Sequence, residues 1–223
     1  NLEFDWKKVI SRSRNVSDKL AGGIEFLFKK NKVDYVLGTG KILEKGKVEV
    51  IASDGQQQAL ESEHILVATG CKSREFPDLP FNGLSVVGSS EAMVMENQPK
   101  DIIIIGAGAI GVEFAYFFNA FGTKVTIVEM MPNILPVEDH EVSVELEKSF
   151  KKSGIEILSS TKVVGTKDLG NGVEIIIQEE GSDPRTLSSE VALIAIGVAP
   201  VLPADFEMDL DRGYIVTDEN YQS

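Results

Sequence analysis

The spacing of apolar residues changes several times along the chain. Between residues 6 and 30, Val9, Val16, Leu20, Ile24 and Leu27 recur mostly at three- and four-residue steps, and Lys29, Lys30 and Lys32 gather at the far end. That spacing predicts a helix, with its lysines where the dipole favours positive charge. From Val33 the period shortens. Residues 33–37 and 47–51 read as short strands, with Gly38, Gly40, Gly46 and Gly55 as turn signals. Residues 63–70, Glu-His-Ile-Leu-Val-Ala-Thr-Gly, read as a buried strand that stops at a glycine. A break from Pro77 to Pro80 follows, and Ser89 to Met93 reads as a capped helical turn.

From Lys100 the pattern is strand, helix, strand, the signature of a parallel βαβ unit. Asp101 to Ile105 is the first strand, a helix runs from about Ala109 to Phe121, and Lys124 to Glu129 is the second strand. Residues 138–153 are amphipathic, with Val142, Leu146 and Phe150 each four apart on one helical face. Residues 155–158, 162–166, 173–178 and 191–197 are further strand candidates.

The two halves echo one another. Lys47-Val48-Glu49-Val50-Ile51, a polar loop, then His64 to Gly70 repeat as Gly172-Val173-Glu174-Ile175-Ile176, a polar loop, then Val191 to Gly197. Each copy reaches a proline soon after its glycine, Pro77 and Pro200. The matching order of elements favours two copies of one unit, although any strand meander ending at a glycine shares part of the pattern.

Between the first strand and helix of the βαβ unit stands Gly106-Ala107-Gly108-Ala109-Ile110-Gly111. A GxGxxG is weak evidence alone. Here four isoleucines precede it and a helix follows, which is the context a dinucleotide turn requires. In such a turn the first glycine permits the tight bend, the second lets backbone approach a pyrophosphate, and the third lets helix and strand pack closely. Glu129 ends the second strand 23 positions after Gly106, close to the ~20 expected for the carboxylate that accepts from ribose hydroxyls. No Lys or Arg occurs between Lys124 and Lys148 to receive a 2′-phosphate, so the sequence favours NAD over NADP.

Composition narrows the picture further. The 223 residues suit one or two domains, with 43% hydrophobic and 26% charged residues as in ordinary soluble domains. A net charge of −13 and a pI near 4.7 argue against nucleic-acid binding, which depends on cationic side chains neutralising phosphates. One cysteine, Cys71, excludes an internal disulfide and a cysteine-based metal site. The uncharged run Ile102 to Val112 falls far short of the roughly 18 residues of a membrane-spanning helix, so no membrane association is expected. The first residues, Asn-Leu-Glu-Phe-Asp-Trp-Lys-Lys, have no initiator Met and no signal-like apolar core, as though cut from a longer chain. His64 falls in a strand candidate, and His140, between Asp139 and Glu141, in an exposed first helical turn.

Several motifs together resemble the two-dinucleotide flavoprotein disulfide reductases: Gly-Ala-Gly-Ala-Ile-Gly-Val-Glu at 106–113, Ala-Thr-Gly at 68–70 and Ala-Ile-Gly at 195–197. Leu-Ala-Gly-Gly-Ile at 20–24, Phe-Lys-Lys-Asn at 28–31 and Gly-Thr-Gly-Lys-Ile at 38–42 are similar to the dihydrolipoamide dehydrogenase branch of that family. The resemblance covers nearly the whole chain, and the order and spacing of the motifs carry it. The glutathione reductase-like branch usually has tyrosine where Ala109 stands, alanine where Gly111 stands, and arginines after the second strand; none is present. One departure follows Gly197, where the family often has Arg-x-Pro-Asn and this chain has Val198-Ala199-Pro200-Val201.

The resemblance implies an α/β architecture: a Rossmann-like NAD-binding domain, with a parallel sheet and an antiparallel three-stranded meander, beside part of a similar FAD-binding domain. Residues 1–95 would belong to the FAD-binding domain, 96–210 to the NAD-binding domain, and 211–223 to the return into the first. Gly106, Ala107, Gly108, Ala109, Ile110, Gly111, Glu113 and Glu129 would serve NAD. Val163 would touch the adenine, Gly197 would lie near the nicotinamide, and Glu113 would sit beside nicotinamide and flavin. Gly40, Thr69 and Gly70 would contact FAD. The implied whole enzyme oxidises dihydrolipoamide with NAD through FAD and a redox disulfide. Its partners would be the lipoyl domain of a 2-oxo acid dehydrogenase or glycine cleavage complex and a second copy of itself, in the cytoplasm or the mitochondrial matrix. The family's first GxGxxG, its Cys-x4-Cys pair, its Gly-Asp flavin motif and its C-terminal His–Glu pair are absent, so no residue here is assigned to the dithiol chemistry and this portion alone is expected to be inactive. Another NAD-linked flavoprotein reductase or a transhydrogenase, and a non-catalytic NAD-binding module, are the alternatives.

Overall fold

The structure, a computed structural model, describes residues 3–76, 78–204 and 206–223. Pro77, with which the expected proline break begins, lies outside them, as do Asn1 and Leu2 at the start of the chain. In chain order the elements are α1 (Trp6–Lys30), β1 (Thr39–Glu44), β2 (Lys47–Ile51), β3 (Gln57–Glu61), β4 (Cys71–Ser73), β5 (Val86–Val87), α2 (Ser89–Ala92), β6 (Asp101–Ile105), α3 (Ala109–Ala120), β7 (Lys124–Val128), α4 (His140–Lys152), β8 (Glu156–Leu158), β9 (Thr161–Asp168), β10 (Val173–Glu179), β11 (Arg185–Ser189), β12 (Val191–Ile194), β13 (Val198–Pro200), β14 (Leu210–Asp211) and β15 (Tyr214–Ile215). The chain divides into two compact units, one of Asn1–Arg14 with Ser73–Gly197, the other of Asn15–Lys72 with Val198–Ser223.

The first unit is built on a parallel sheet ordered β5-β12-β6-β7-β8. Its central strand β6 carries four consecutive isoleucines, all buried. A strand with both faces covered needs such a run, because alternate side chains enter two different cores. Ile102 and Ile104 pack with Val112, Ala115 and Phe118 of α3, and Ile103 and Ile105 pack with Val173, Ile175 and Ile177 of β10. Helices cover one face, and the antiparallel meander β11-β10-β9 supplies the core of the other. This is the α/β plan expected from the sequence.

The helical face is closed by an aromatic cluster. The buried Trp6 ring lies 5.8 Å from Phe118 and 5.5 Å from Phe117. Its Nε1–H donates to the Met95 carbonyl at 2.8 Å, so the indole is buried without leaving its donor unpaired. The helix α4 begins two residues later than expected, because the Asp139 carboxylate caps it by accepting from Glu141 and Val142 N–H. His140 is exposed in its first turn, as expected, and so is Val142, whereas Phe150 is buried.

The second unit contains the meander β1-β2-β3, with Ile42 and Val50 its buried residues. Two expectations fail here. Residues 33–37 and 63–70 form no strand, and Leu66 is 90% exposed. A strand exists only in a hydrogen-bonded ladder, and among the described residues neither segment has a strand beside it. The expected helix α1 does form, but Leu20, Ile24 and Leu27 on its apolar face are exposed. Conversely, the polar segments β3 and β11, expected as loops, are strands. Each is the third member of a meander, held by its backbone register against β2 or β10 while its side chains stay largely in solvent.

Candidate functional site

The parallel sheet has one point where its connections diverge. From β6 the chain winds through α3 to β7 and through α4 to β8 on one side, while β12 lies against β6 on the other. Open α/β sheets bind ligands beyond the carboxyl ends of the strands at such a point. The ends meeting there are Ile105-Gly106 and Ile194-Ala195.

The glycine turn occupies this position, and its three glycines have different reasons to be glycine. Gly106 turns at φ +101°, and a Cβ there would lie 2.4 Å from the Ala195 carbonyl oxygen. Gly111 brings α3 onto the turn so closely that a Cβ would lie 2.1 Å from the Gly106 carbonyl oxygen. Gly108 is in extended backbone at φ −71°, and a Cβ there would meet nothing within 4 Å. The protein itself therefore requires the outer two glycines, while the middle one leaves an open cradle over the turn.

Helix α3 starts at Ala109 with Gly108 as its N-cap. No side chain caps it, and its first turn holds no acidic residue. Its first N–H groups and the positive end of its dipole are thus uncompensated by the protein, a local field that suits a phosphate.

Glu129 stands at the end of β7 and is 6% exposed. One of its oxygens accepts from Ala107 N–H at 2.7 Å and the other from Met131 N–H at 2.8 Å. A carboxylate oxygen can accept more than one bond, so acceptor capacity remains on both. The carboxylate also ties the glycine turn to β7, which the sequence did not reveal. A second brace was missed as well: Leu135 N–H donates to the Ala107 carbonyl at 2.8 Å. Its local signal is slight, since Pro132 and Pro136 mark the segment as a loop and only Ile134 and Leu135 between them hint at burial.

Gly106 to Gly111, Glu129 and Gly197 all belong to the first unit and cluster at the carboxyl ends of β6, β7 and β12. Gly197 bends at φ +103°, and its carbonyl accepts from Arg74 N–H at 3.0 Å. Ala109 is exposed at the helix start, Ile110 is half-buried, and Glu113 is exposed further along α3. Val163 is half-buried in β9, two residues beyond Thr161, whose N–H donates to the Glu129 carbonyl at 2.9 Å.

Gly40, Thr69 and Gly70 belong to the second unit. Gly40 is an exposed residue of β1 opposite Val50. The Thr69 hydroxyl donates to the Val201 carbonyl. Gly70, at φ +76°, accepts from Val201 N–H at 3.0 Å, and a Cβ on it would meet nothing within 4 Å. These bonds tie the end of the 63–70 segment to the stretch that follows Gly197. Among the described residues there is no metal-binding group of three or more His, Cys, Asp or Glu, and no helix long and apolar enough to cross a membrane.

Residues 3–223 match the family model described as pyridine nucleotide-disulphide oxidoreductase. The chain is 38% identical over 222 residues to the dihydrolipoyl dehydrogenase of Chlorobaculum parvum, covering 98% of this chain and 47% of that protein. It is 34% identical over 220 residues to dihydrolipoyl dehydrogenase 2, mitochondrial, of Arabidopsis thaliana, covering 98% of this chain and 43% of that protein. Among solved structures, LpdA from Mycobacterium tuberculosis superposes with a TM-score of 0.87 at 23% identity, over 97% of this chain and 49% of that one, a likeness of fold. The HOCl-induced flavoprotein disulfide reductase RclA of Escherichia coli superposes with a TM-score of 0.79 at 24% identity, over 98% of this chain and 50% of that one. The chain spans about half the length of the curated relatives it matches.

Proposed function

The chain belongs to the pyridine nucleotide-disulphide oxidoreductase family, and we propose that it forms the NAD-binding part of a dihydrolipoyl dehydrogenase. The observation that carries this reading is the glycine turn at the switch point of the sheet, with an open cradle at Gly108 and an uncapped helix behind it.

The residues fit a dinucleotide. The backbone of Ala107 to Gly111 would receive the pyrophosphate, since Gly108 leaves room for it and the start of α3 supplies N–H donors and positive potential. Glu129 would accept from the adenosine ribose with its remaining lone pairs. Its negative charge disfavours a 2′-phosphate, and the chain offers no Lys or Arg from Val125 to Glu147 to offset it. Val163 would flank the adenine, with Gly197 and Glu113 toward the nicotinamide. Gly40, Thr69 and Gly70 would lie along the flavin. When bound, the nicotinamide and the flavin supply the hydride and electron chemistry, and the protein orients them.

The dithiol step is assigned to no residue here, because Cys71 has no second cysteine in the sequence. By the family resemblance, the whole enzyme would work as a homodimer with the lipoyl domain of a 2-oxo acid dehydrogenase or glycine cleavage complex, in the cytoplasm or the mitochondrial matrix. Of these, the relatives' names speak only to dihydrolipoyl dehydrogenase and, for the Arabidopsis thaliana protein, to a mitochondrial location.

Titration calorimetry of the 223-residue chain with NAD and NADP tests the proposal. Binding of NAD at least tenfold tighter than NADP is expected, a difference of about 1.4 kcal/mol. Equal affinities would remove the role given to Glu129, and no binding of either would remove the nucleotide reading of the turn.

A further inference from the structure

The glycine turn is held by a chain of hydrogen bonds that leads back into α4. Ala107 N–H donates to Glu129 and Ala107 C=O accepts from Leu135 N–H at 2.8 Å. Leu135 C=O in turn lies 3.2 Å from the hydroxyl of Ser143, which also reaches the Asp139 carbonyl at 3.2 Å. Ser143 is 2% exposed, so its hydroxyl is committed to these two carbonyls and not to solvent.

Leu135 is the unusual member. It sits at φ +47°, in the left-handed region that a branched side chain rarely enters, and Pro136 follows it. Such a conformation persists only where the surroundings over-determine it. Here they do: Leu135 is fixed at its N–H by Ala107 and at its carbonyl by Glu138 N–H at 3.0 Å and by Ser143, its side chain packs against the helix-side core, and its neighbour Ile134 is fully buried.

The consequence lies one peptide further on. A trans peptide is planar, so the Ala107 carbonyl and the Gly108 N–H point in opposite directions. Drawing the carbonyl toward Leu135 turns the Gly108 N–H away from it. We infer that Leu135 and Ser143 are positioning residues for the pyrophosphate: they hold the Ala107–Gly108 peptide so that the Gly108 N–H is presented outward before any ligand arrives. This rests on the nucleotide reading of the turn. A turn set in advance spends no binding energy on ordering its donors.

The test compares ADP-ribose, which carries the pyrophosphate, with adenosine, which does not, on the wild-type chain and on Ser143→Ala and Leu135→Gly. Affinities come from calorimetry for ADP-ribose and from ligand-observed NMR for adenosine, with circular dichroism to check the fold. Ser143→Ala is expected to weaken ADP-ribose about 2- to 10-fold, the scale of one lost hydrogen bond, and to leave adenosine unchanged. Leu135→Gly adopts the same φ without strain and guards against a Ser143→Ala chain that fails to fold. It is expected to produce the same selective loss by freeing the peptide to rotate. Unchanged ADP-ribose affinity in the folded variants would overturn the inference alone, as would an equal loss for both ligands, which marks general damage. A wild-type chain that binds no ADP-ribose would overturn the nucleotide reading and this inference with it.

Discussion

Residues 64–70 and 191–197 occupy the same place in the two halves of the sequence echo, yet their structures differ. Leu66 and Leu193 stand at equivalent positions, with Gly70 and Gly197 closing each segment. Leu193 is fully buried in β12, which is paired with β5 on one side and β6 on the other. Leu66 is 90% exposed in a segment with no ladder. The preceding meanders differ in the same way. Val173, Ile175 and Ile177 of β10 are fully buried, whereas β2, its counterpart in the first meander, buries only Val50. An apolar run is permission to be a strand. Neighbours on both edges and a layer on each face turn that permission into structure.

The sharpest way to break this comparison is to truncate the two leucines. Leu193→Ala removes a side chain from a close-packed core and is expected to cost about 2–5 kcal/mol of stability. Leu66→Ala removes an exposed one and is expected to stay within about 0.5 kcal/mol of wild type. Urea unfolding of both variants measures the difference. Similar losses would mean that 64–70 is covered in solution, and the contrast would collapse.

The closing glycine of β6 offers a smaller contrast with Gly70. Both adopt positive φ, but only Gly106 has the Ala195 carbonyl where a Cβ would go. Gly70→Ala therefore meets only the backbone penalty, about 1–2 kcal/mol. Gly106→Ala adds a backbone clash, which raises the expected loss to about 2–4 kcal/mol. It is also expected to abolish nucleotide binding, because the turn must shift. A Gly106→Ala chain with wild-type stability and NAD affinity would show that the turn can relax, and that the close approach to β12 is not needed.

These contrasts explain how much could be read beforehand. The isoleucines of β6, the glycine turn and the strand at β10 were legible because local sequence and burial agree there. Leu66 misled because its pattern matches that of Leu193, and the difference lies in neighbouring strands rather than in the segment. The β11 residues Arg185 to Ser189 misled in the opposite direction, since a strand with polar side chains has no apolar signal. At the site, the tight turn at Gly106 and the close helix packing at Gly111 were legible from a glycine spacing set between a strand and a helix. The braces from Leu135 and Ser143 were not, because they depend on a left-handed backbone and on a hydroxyl whose partners are known only once α4 is placed.

The smallest expected effect concerns a polar clamp in the second meander. The Asp168 carboxylate, at the end of β9, accepts from Gly170 N–H at 2.8 Å, Asn82 Nδ2 at 2.7 Å and Ser85 Oγ at 3.0 Å. These donors, the Gly170 N–H foremost, hold its pKa below the ordinary value of 3.8. A depressed folded value means that the unfolded chain takes up the proton first as pH falls. The stabilisation is therefore complete above the ordinary carboxylate value and is lost as pH drops through the lower, folded value. Asp218 in the other unit is held low in the same sense by the N–H groups of Gln222 and Asn220, so the wild-type acid profile contains both groups. Comparing wild type with Asp168→Asn isolates one of them. The stability gap between the two chains is expected to be flat from pH 5 to 7, in the range above about 4 where the unfolded carboxylate is ionised, and to close below it. A gap that persists unchanged below the folded pKa would show that it comes from the amide itself and not from the ionisation of Asp168, leaving the charge without effect on the fold.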